Sequence, residues 1–485
     1  MTPKRPAGEE PQGEIFQTEL ARFIDMKHAL VKLAHAVDWA QFDRRFEPLY
    51  CADHGSPALP TRLLVGLHYL KYACDLSDEA VVAQWVENPY WQYFCGGRWF
   101  EHQAPLEASS LCRWRGRVKD AGAEAMLRET IQSGLKLGYV KASDLRRVNV
   151  DTTVQEKNIR HPTDARLYDR MRERLVKAAR TNGVKLRQSY ARVGKRALRR
   201  QGDHARRRQF KKAARETNRL KKYLARVTRD LQRKAPAPGE KLAALLALAG
   251  RLLRQQKHDQ KKLYSVHEPQ VQCIAKGKAH KKYEFGDKVS VATTARHNWV
   301  VGALDFPDNP YDAHTLPEAL QQVARVTGVT LQQAACDQGY RGHTYAGPCR
   351  VEIVRRHRRG LPRRTLFWWD RRSAVEPKIG HLKSDHRLDR NRLKGELGDK
   401  LNVILAGCGS NLRKLLNGLL GWLHFRAARM GAWWRSRLLW PGLRPASIAP
   451  FPAGRCRHPG FIRPATLSGS LFLPRRPNAH FFSTD

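Results

Sequence analysis

Residues 144–155 read DLRRVNVDTTVQ, and they mark the change from a helical first third to a chain that alternates between strands and helices. Val148, Val150 and the flanking β-branched residues alternate as in a strand with one buried face. Asp151 is placed near the end of this predicted strand. Because an acid followed by two threonines is more often a turn residue, its meaning depends on the rest of the chain.

Upstream, residues 19–140 are predicted to be helical. HALVKLAHAV (28–37) is amphipathic, and residues 61–97 contain two more helices, separated by a turn in which Ser77 is placed to cap the second. The next segment, SSLCRWRGRVKDAG (109–122), presents cations around Trp114, namely Arg113, Arg115, Arg117 and Lys119. Helix, turn, helix and then a basic helix indicate a helix-turn-helix-like DNA-binding domain. A plain helical bundle is the alternative, because no single residue defines a recognition helix.

Downstream, residues 157–265 are predicted to form a long basic helical insertion. From 166 to 234 roughly every third residue is Lys or Arg, with very few acids, and RKAPAPGEK (233–241) separates this run from a further helix. A run of charge is usually a solvated helix face. Here the sign is so one-sided that an arm tracking phosphates is favoured.

Strand patterns return after the insertion. KKYEFGDKVSVATT (281–294) and NWVVGALDFPDN (298–309) predict a hairpin, followed by a helix ending at Gly328, a strand running into a turn at Asp337, and the strand CRVEIVRR (349–356). This order consists of three strands, a helix, and then alternating strands and helices. It is the ribonuclease H-like order, an α/β fold with a mixed sheet and helices on both faces. This domain is predicted to comprise residues 141–156 and 266–424.

The stretch WDRRSAVEPKIGHLKSDHRLDRNRLK (369–394) is predicted to be a helix that carries a third notable acid. Glu376 lies inside a helical apolar stripe, which predicts a carboxylate facing inward and needing a cation or a metal. Arg372, four residues before it, and Lys383, seven after, lie near the same face. The alternative is a surface helix with ion pairs.

The predicted topology brings these acids together. In it, the ends of the first and fourth strands are neighbours and the helix after the fifth strand passes over them. We therefore expect the carboxyl groups of Asp151, Asp337 and Glu376 to converge within roughly 10 Å, the spacing that a shared pair of metal ions requires. Asp312 and His314 are either supporting groups behind this site or parts of a loop turn.

Three runs around the acids carry a family resemblance: VNVDTTVQEKNIRHPTDARLY, CDQGYRG and VEPKIGHLKSDHRLDRNRLKG. Over about residues 20–420 the chain resembles the DDE transposases of bacterial insertion sequences, specifically those of insertion sequence five. The wider group carries a Y-x2-R-x3-E-x6-K signature. Trp369, Arg372, Glu376 and Lys383 stand at that spacing, with tryptophan in place of tyrosine, which keeps a stacking ring but loses a hydroxyl donor.

The resemblance implies a DNA transposase that binds the terminal inverted repeats of an insertion sequence, cleaves the ends and joins the 3′-hydroxyl to target DNA. Asp151, Asp337 and Glu376 would be the catalytic triad and would hold two Mg²⁺ ions, for which Mn²⁺ could substitute. Arg372 and Lys383 would bind phosphate or the DNA ends, with Trp369, Arg113, Arg115 and Arg117 as further DNA-binding residues. The partners would be double-stranded DNA and at least one further copy of the chain.

Composition agrees with such a partner. The 485 residues include 89 Lys and Arg against 45 Asp and Glu, a formal net charge of +44. This excess indicates a polyanion, and nucleic acid is favoured over an anionic membrane surface. The nine cysteines are scattered without a CxxC pair, which indicates neither a zinc site nor a disulfide framework. The start does not resemble a signal peptide and no long apolar run occurs, so with these cysteines a reducing cytoplasm is expected, and the resemblance implies association with the bacterial nucleoid.

The two ends of the chain are expected to differ from the rest. Residues 1–18 are predicted to be a disordered lead-in. Residues 425–485, rich in Pro, Arg, Trp and Gly, are predicted to be a disordered or aberrant tail, as a shifted or read-through reading frame would produce.

Two other classes of function are open. One is a catalytically inactive DNA-binding relic of a transposase. The other is a ribonuclease H-like repair nuclease, against which the basic insertion and the N-terminal helices argue.

Overall fold

The structure, a computed structural model, describes residues 19–51, 57–256, 258–275, 281–355 and 359–438, with side chains as far as residue 420. The chain divides into two compact units, residues 1–426 and 427–485. Only the backbone of 427–438 is described in the second unit, so the account below concerns the first.

The described part of the chain before the first strand is mainly helical, as predicted, and contains α1 (Leu20–Phe23), α2 (Ala29–Ala36), α3 (Trp39–Phe46), α4 (Thr61–Ala73), α5 (Asp78–Glu87), α6 (Pro89–Phe94) and α7 (Ala108–Lys136). Ser77 caps α5, because its side chain accepts the backbone N–H of Ala80, which confirms the predicted N-cap. Helix α7 is interrupted at Lys119, whose φ of 53° lies in the left-handed region. Helix α4 is buried along almost its whole length, which its apolar sequence dictates.

One mixed sheet follows, built from β1 (Arg147–Lys157), β2 (Gln272–Ile274), β3 (Glu284–Thr294), β4 (Val300–Phe306), β5 (Gln333–Cys336), β6 (Arg350–Ile353) and β7 (Arg390–Asn391). The strand order is β2-β3-β1-β5-β6, with β4 paired to β3 and β7 paired to β1. Strand β3 is antiparallel to β1, β2 and β4, whereas β5 is parallel to both β1 and β6. The predicted β3–β4 hairpin is confirmed.

Strand β1 is longer than the sequence indicated. Asp151 was expected near the end of the strand, but β1 continues to Lys157 because it stays paired with β3 as far as Glu156 opposite Gly286. On its other edge β1 pairs with β5 only over residues 147–149, and with β7 only from Glu156. Asp151 therefore lies in the middle of β1, beside a stretch of strand edge that β5 does not cover.

The other helices of the sheet region are α12 (Asp312–Thr327), α13 (Arg363–Arg372), α14 (Val375–Asp385) and α15 (Gly395–Leu438). Helix α12 ends at Gly328, whose φ of 68° provides the left-handed cap expected there. Helix α15 extends beyond residue 425, where the tail was predicted to begin without regular structure. The predicted lead-in, residues 1–18, and the tail from 439 lie outside the described residues.

The insertion consists of α8 (Asp164–Thr181), α9 (Ala191–Arg206), α10 (Phe210–Lys234) and α11 (Glu240–Arg254). These helices enclose a hydrophobic cluster of their own, to which Leu175, Leu224 and Leu252 contribute fully buried side chains. Apolar residues at helical spacing face this cluster, so the many cations are left on the outer surface.

A larger hydrophobic cluster joins the N-terminal helices to the sheet and to α15, with Tyr72, Trp299 and Leu405 among its buried members. The N-terminal helices and the sheet therefore share one core. Among the described residues, no helix combines the length and apolar character needed to cross a membrane.

Candidate active site

The register of the parallel pair β1–β5 places two of the predicted acids at one level. Asn149 of β1 lies opposite Ala335 of β5. Two residues further along each chain come Asp151 and Asp337, the latter directly after the end of β5. Chain direction and register thus bring together two carboxylates that are far apart in sequence.

Asp337 is fixed by the turn that follows β5. Its Oδ1 accepts the backbone N–H of Gly339 at 3.0 Å, and it caps the short 3-10 helix Gln338–Tyr340. A Cβ atom on Gly339 would lie 3.1 Å from carboxylate oxygens of both Asp337 and Asp312. The turn is therefore tight enough to favour glycine, and the Asp312 carboxylate lies beside it.

The third acid lies where two helices meet, and here the sequence-based prediction was wrong. Residues 369–385 form two helices instead of one, with the break at Ser373 between α13 and α14. Pro377 falls in the first turn of α14, where a missing N–H costs no hydrogen bond, so it does not kink the helix. Glu376 lies in the same turn with its side chain 63% exposed, rather than facing the interior.

The three acids meet at the guanidinium group of Arg372. Its Nη2 lies 3.0 Å from Asp151 Oδ2 and 3.6 Å from Asp337 Oδ2, and its Nη1 lies 2.9 Å from Glu376 Oε1. The Arg372 side chain is 11% exposed, whereas those of Asp151 and Asp337 are 15% and 42% exposed. One half-buried cation thus contacts three carboxylates whose exposure to solvent increases from Asp151 to Asp337 to Glu376.

Hydrogen bonds from neighbouring backbone and side chains hold the junction between α13 and α14 in place. Asn149 Nδ2 donates to the carbonyl oxygen of Arg371 at 3.0 Å, and Asn298 Nδ2 donates to that of Ala374 at 3.2 Å. Arg371 Nε donates to the carbonyl oxygen of Ala295 at 3.2 Å. Sequence reasoning missed these positioning residues. For Asn149, the available signal was an amide between two valines of a buried strand.

Asp312 was expected either to support the site or to belong to a loop turn; it begins α12 and accepts a hydrogen bond from the residue that follows Asp151. Its Oδ1 accepts hydrogen bonds from Thr152 Oγ1 and Lys288 Nζ, both at 2.9 Å. Lys288 also donates to the carbonyl oxygen of Pro310 at 2.7 Å. Lys288 was missed, since a lysine within an alternating strand gives no sign of pointing toward a site.

The donor chemistry of the acids fits a divalent cation such as Mg²⁺, because carboxylate oxygens are hard ligands. The guanidinium of Arg372 is a stand-in cation to which all three acids are directed. In the described part of the chain, no group of three or more acidic, histidine or cysteine side chains is arranged to hold a metal ion as it stands. The three acids therefore fit such an ion in ligand chemistry but not in arrangement while Arg372 lies between them.

The chain is similar to known proteins in two comparisons. The transposase domain (DUF772) matches residues 18–117. The uncharacterized protein ORF8 in the nfe locus of Rhizobium meliloti is 48% identical over 210 residues, which is 43% of this chain and all of that relative.

This chain belongs to a transposase-related family. No solved structure matches it. The transposase domain match covers the N-terminal helices and not the three acids, so it bears on the first part of the chain alone.

Within the matched transposase domain, Arg115 is not at the surface where DNA contact was expected. It is buried, and it donates to both carboxylate oxygens of Asp78, at 2.9 and 2.6 Å. Burial opposes ionisation of Asp78, but the hydrogen bonds and positive charges of Arg115 and Lys71 together outweigh it and keep the pKa of that carboxyl below its usual value. Arg115 thus ties α7 to α5. A cation at helical spacing among apolar residues can point into the core or toward solvent, so the sequence could not show that Arg115 is buried.

The other two arginines of that segment lie at the surface. Arg113 is exposed and donates to the hydroxyl groups of Ser109 and Ser110 at 3.4 and 3.1 Å. Arg117 is exposed and lies over the ring of Tyr50, 4.6 Å from its centroid. Both are available to a phosphate on this face of the transposase domain.

Trp369 and Lys383 complete the predicted set. Trp369 is buried, so its ring packs inside the protein instead of being presented to DNA as expected. Lys383 is half-buried on α14, about two turns beyond Glu376. The tryptophan therefore supports the helix that carries Arg372.

Proposed function

We propose that the protein is a DDE-type DNA transposase that binds the ends of an insertion sequence, cleaves them and joins the freed 3′-hydroxyl to target DNA. The observation that carries this proposal is the convergence of Asp151, Asp337 and Glu376 on the guanidinium of Arg372. The transposase domain match and the relationship to a transposase-related family support it.

The strand order supports a ribonuclease H-like catalytic domain. Strand β1 lies between an antiparallel strand, β3, and a parallel strand, β5, with β4 and β6 beyond them. Acids in the middle of β1 and just after β5 lie side by side in this order, and α14 adds the third acid from above. This arrangement is suited to a site that acts on a substrate lying across one edge of the sheet.

The three acids would hold the divalent cations of the reaction, with Mg²⁺ preferred for its oxygen ligands and Mn²⁺ as a substitute. When bound, such ions activate water and stabilise the leaving oxygen of a phosphodiester. Arg372 would then lose its carboxylate partners and become available to a phosphate oxygen of the DNA. Lys383, two turns along α14, would add a second cation for the same strand.

The DNA itself would be held mainly by charge. The insertion and the exposed Arg113 and Arg117 present cations on the surface, and a net charge of +44 favours an extended anionic partner. Bringing two DNA ends together requires at least two copies of the chain, and the reaction would take place in the cytoplasm at the nucleoid.

The test uses labelled duplexes taken from the DNA that flanks the gene, where a transposase should find its inverted repeats. Wild-type protein should cleave them in Mg²⁺. Asp151→Asn, Asp337→Asn and Glu376→Gln should each lower cleavage by several orders of magnitude, as expected when a metal ligand is lost. Duplex affinity should persist in all three variants, because the basic surfaces are unchanged.

Asp305→Asn is the matched control, because it makes the same chemical change at a buried carboxylate of β4 outside the site. It should fold and cleave like the wild type. A Glu376→Gln protein that cleaves normally would contradict the catalytic proposal. Wild-type protein that binds the duplexes but never cleaves them would indicate the inactive DNA-binding relic.

A further inference from the structure

The connection between α9 and α10 projects an aromatic side chain surrounded by cations. Residues 206–212 read RRRQFKK, so five of the seven are Arg or Lys. Phe210 is 69% exposed, which is more than any other large hydrophobic side chain in the described part of the chain. A single exposed ring is common on protein surfaces, so it is the combination of Phe210 with the surrounding cations that points to a partner.

The cations of this tip are largely without acidic partners. Arg206 pairs with Asp203. Among the described residues, no ion pair joins a carboxylate to Arg207, Arg208, Lys211 or Lys212, and all four are exposed. The tip therefore presents uncompensated positive charge on both sides of Phe210.

The tip is held by its backbone rather than being a loose loop. The N–H groups of Arg207, Arg208 and Gln209 donate to carbonyl oxygens in the last turn of α9, at 3.1, 3.0 and 2.9 Å. Immediately after the tip, Ala213 of α10 is already buried. Phe210 is thus presented in a defined position, which lowers the entropy lost when a partner orders it.

We propose that this tip inserts Phe210 between adjacent base pairs of duplex DNA, while the flanking Arg and Lys side chains contact the phosphates on either side. Apolar wedges of this kind unstack a base step and bend the duplex. The proposal rests on the proposed function, since it assumes that DNA is the substrate. A second copy of the same tip does not fit, because like charges would repel.

The test compares variants on one short fluorescent duplex, by affinity and by energy transfer between dyes at the two DNA ends. Phe210→Ala should weaken binding about tenfold, the scale of losing one ring–base stack. It should also abolish the bend and leave the salt dependence unchanged, because no charge is removed. Phe210→Trp should restore both affinity and bend.

Two control variants distinguish the contribution of the Phe210 ring from that of the flanking charges. Val193→Ala removes an exposed apolar side chain from the other end of α9, about 20 Å away along the helix, and should change nothing. Arg207→Ala with Arg208→Ala should weaken binding and lower the slope of log affinity against log salt by about 2.

Normal affinity and bending in Phe210→Ala would overturn the wedge and leave the proposed transposase function standing. Wild-type protein that binds no duplex would contradict both. Phe210-dependent binding to vesicles of phosphatidylserine and phosphatidylcholine, with Phe210-independent binding to DNA, would show that the tip meets a membrane instead.

Discussion

Two clusters of acidic residues lie along strand β1. Each surrounds a basic side chain, but the two clusters differ in their access to water. At its middle, Asp151 belongs to the cluster centred on Arg372, whose acids are 15%, 42% and 63% exposed. At its end, Lys157 lies among the carboxylates of Glu268, Asp287, Asp305 and Asp399, and none of these residues is more than 8% exposed.

Ion pairs with Lys157 hold the buried cluster together, but they neutralise only part of its negative charge. Lys157 Nζ contacts Asp399 Oδ1 directly and lies 3.4 Å from Glu268 Oε2. Asp287 Oδ2 and Asp305 Oδ1 are buried and accept no hydrogen bond from the described residues. Burial, reinforced by the charge of Asp399, raises the pKa of Asp287 well above its usual value and that of Asp305 to about 7.

Solvent access therefore decides whether a group of carboxylates can exchange its cation. The acids around Lys157 are enclosed, so they must keep their cation or take up protons. The acids around Arg372 are partly exposed to water, so in our proposal a metal ion could replace the guanidinium there without opening the core. The same strand therefore carries one enclosed cluster and one cluster that solvent can reach.

Removing the cation should lower the unfolding free energy more in the buried cluster than in the cluster around Arg372. Lys157→Met leaves enclosed carboxylates without a counter-ion, and breaking a buried pair in this way should cost about 3–5 kcal/mol of unfolding free energy. Urea denaturation measures this directly. Lys281→Met, which removes a half-exposed lysine from its pair with Glu156, should cost under about 1 kcal/mol. Equal losses in the two variants would show that enclosure does not matter here.

Much of this architecture follows from sequence pattern. The alternation of 281–294 and 298–309 predicts the hairpin, the helical periodicity of 166–254 predicts the insertion, and Gly328 predicts the end of α12. These features depend on local periodicity and turn chemistry, which a single sequence records.

What sequence could not supply depends on tertiary contacts. The break at Ser373, the burial of Arg115 and the position of Asp151 within a longer strand each depend on partners distant in sequence. The buried cluster around Lys157 was missed as well. Its acids come from β3, β4, α15 and the segment before β2, and an isolated Asp in a strand gives no sign that three others will face it.

A smaller, pH-dependent effect should distinguish the buried cluster further. Because burial raises the pKa of Asp305 to about 7, the folded protein holds a proton that the unfolded chain releases near pH 4. Its contribution to stability is full below pH 4 and is lost as pH rises through about 7.

Asp305→Asn cannot ionise, so it should match the wild type at about pH 4 and exceed its unfolding free energy by about 1–3 kcal/mol at about pH 8. Urea denaturation across that range gives the difference. A constant gap between the two proteins at all pH values would show that Asp305 does not titrate in this window.

The smallest effect on the metal-free fold is expected at Arg372, where the solvent-facing acids can rely on water. Arg372→Gln should change the unfolding free energy by about 1 kcal/mol or less, because partly exposed ion pairs contribute little. Its effect should appear when Mn²⁺ is added. A bound ion stabilises the folded state by an amount that grows with affinity. Without the competing guanidinium, Mn²⁺ should bind about tenfold more tightly, so it should raise Tm more in Arg372→Gln than in the wild type.

Two further proteins make this result decisive. Arg372→Gln combined with Asp151→Asn should lose the extra rise in Tm, because the variant lacks both the competing cation and one of the ligands. Lys383→Gln removes a cation from α14 without altering the contacts of Arg372, and should respond to Mn²⁺ as the wild type does. If Mn²⁺ raises the Tm of wild type and Arg372→Gln equally, the guanidinium does not occupy the place of an ion. The exposed cluster would then resemble the buried one, with a cation that is part of the fold and is not exchanged.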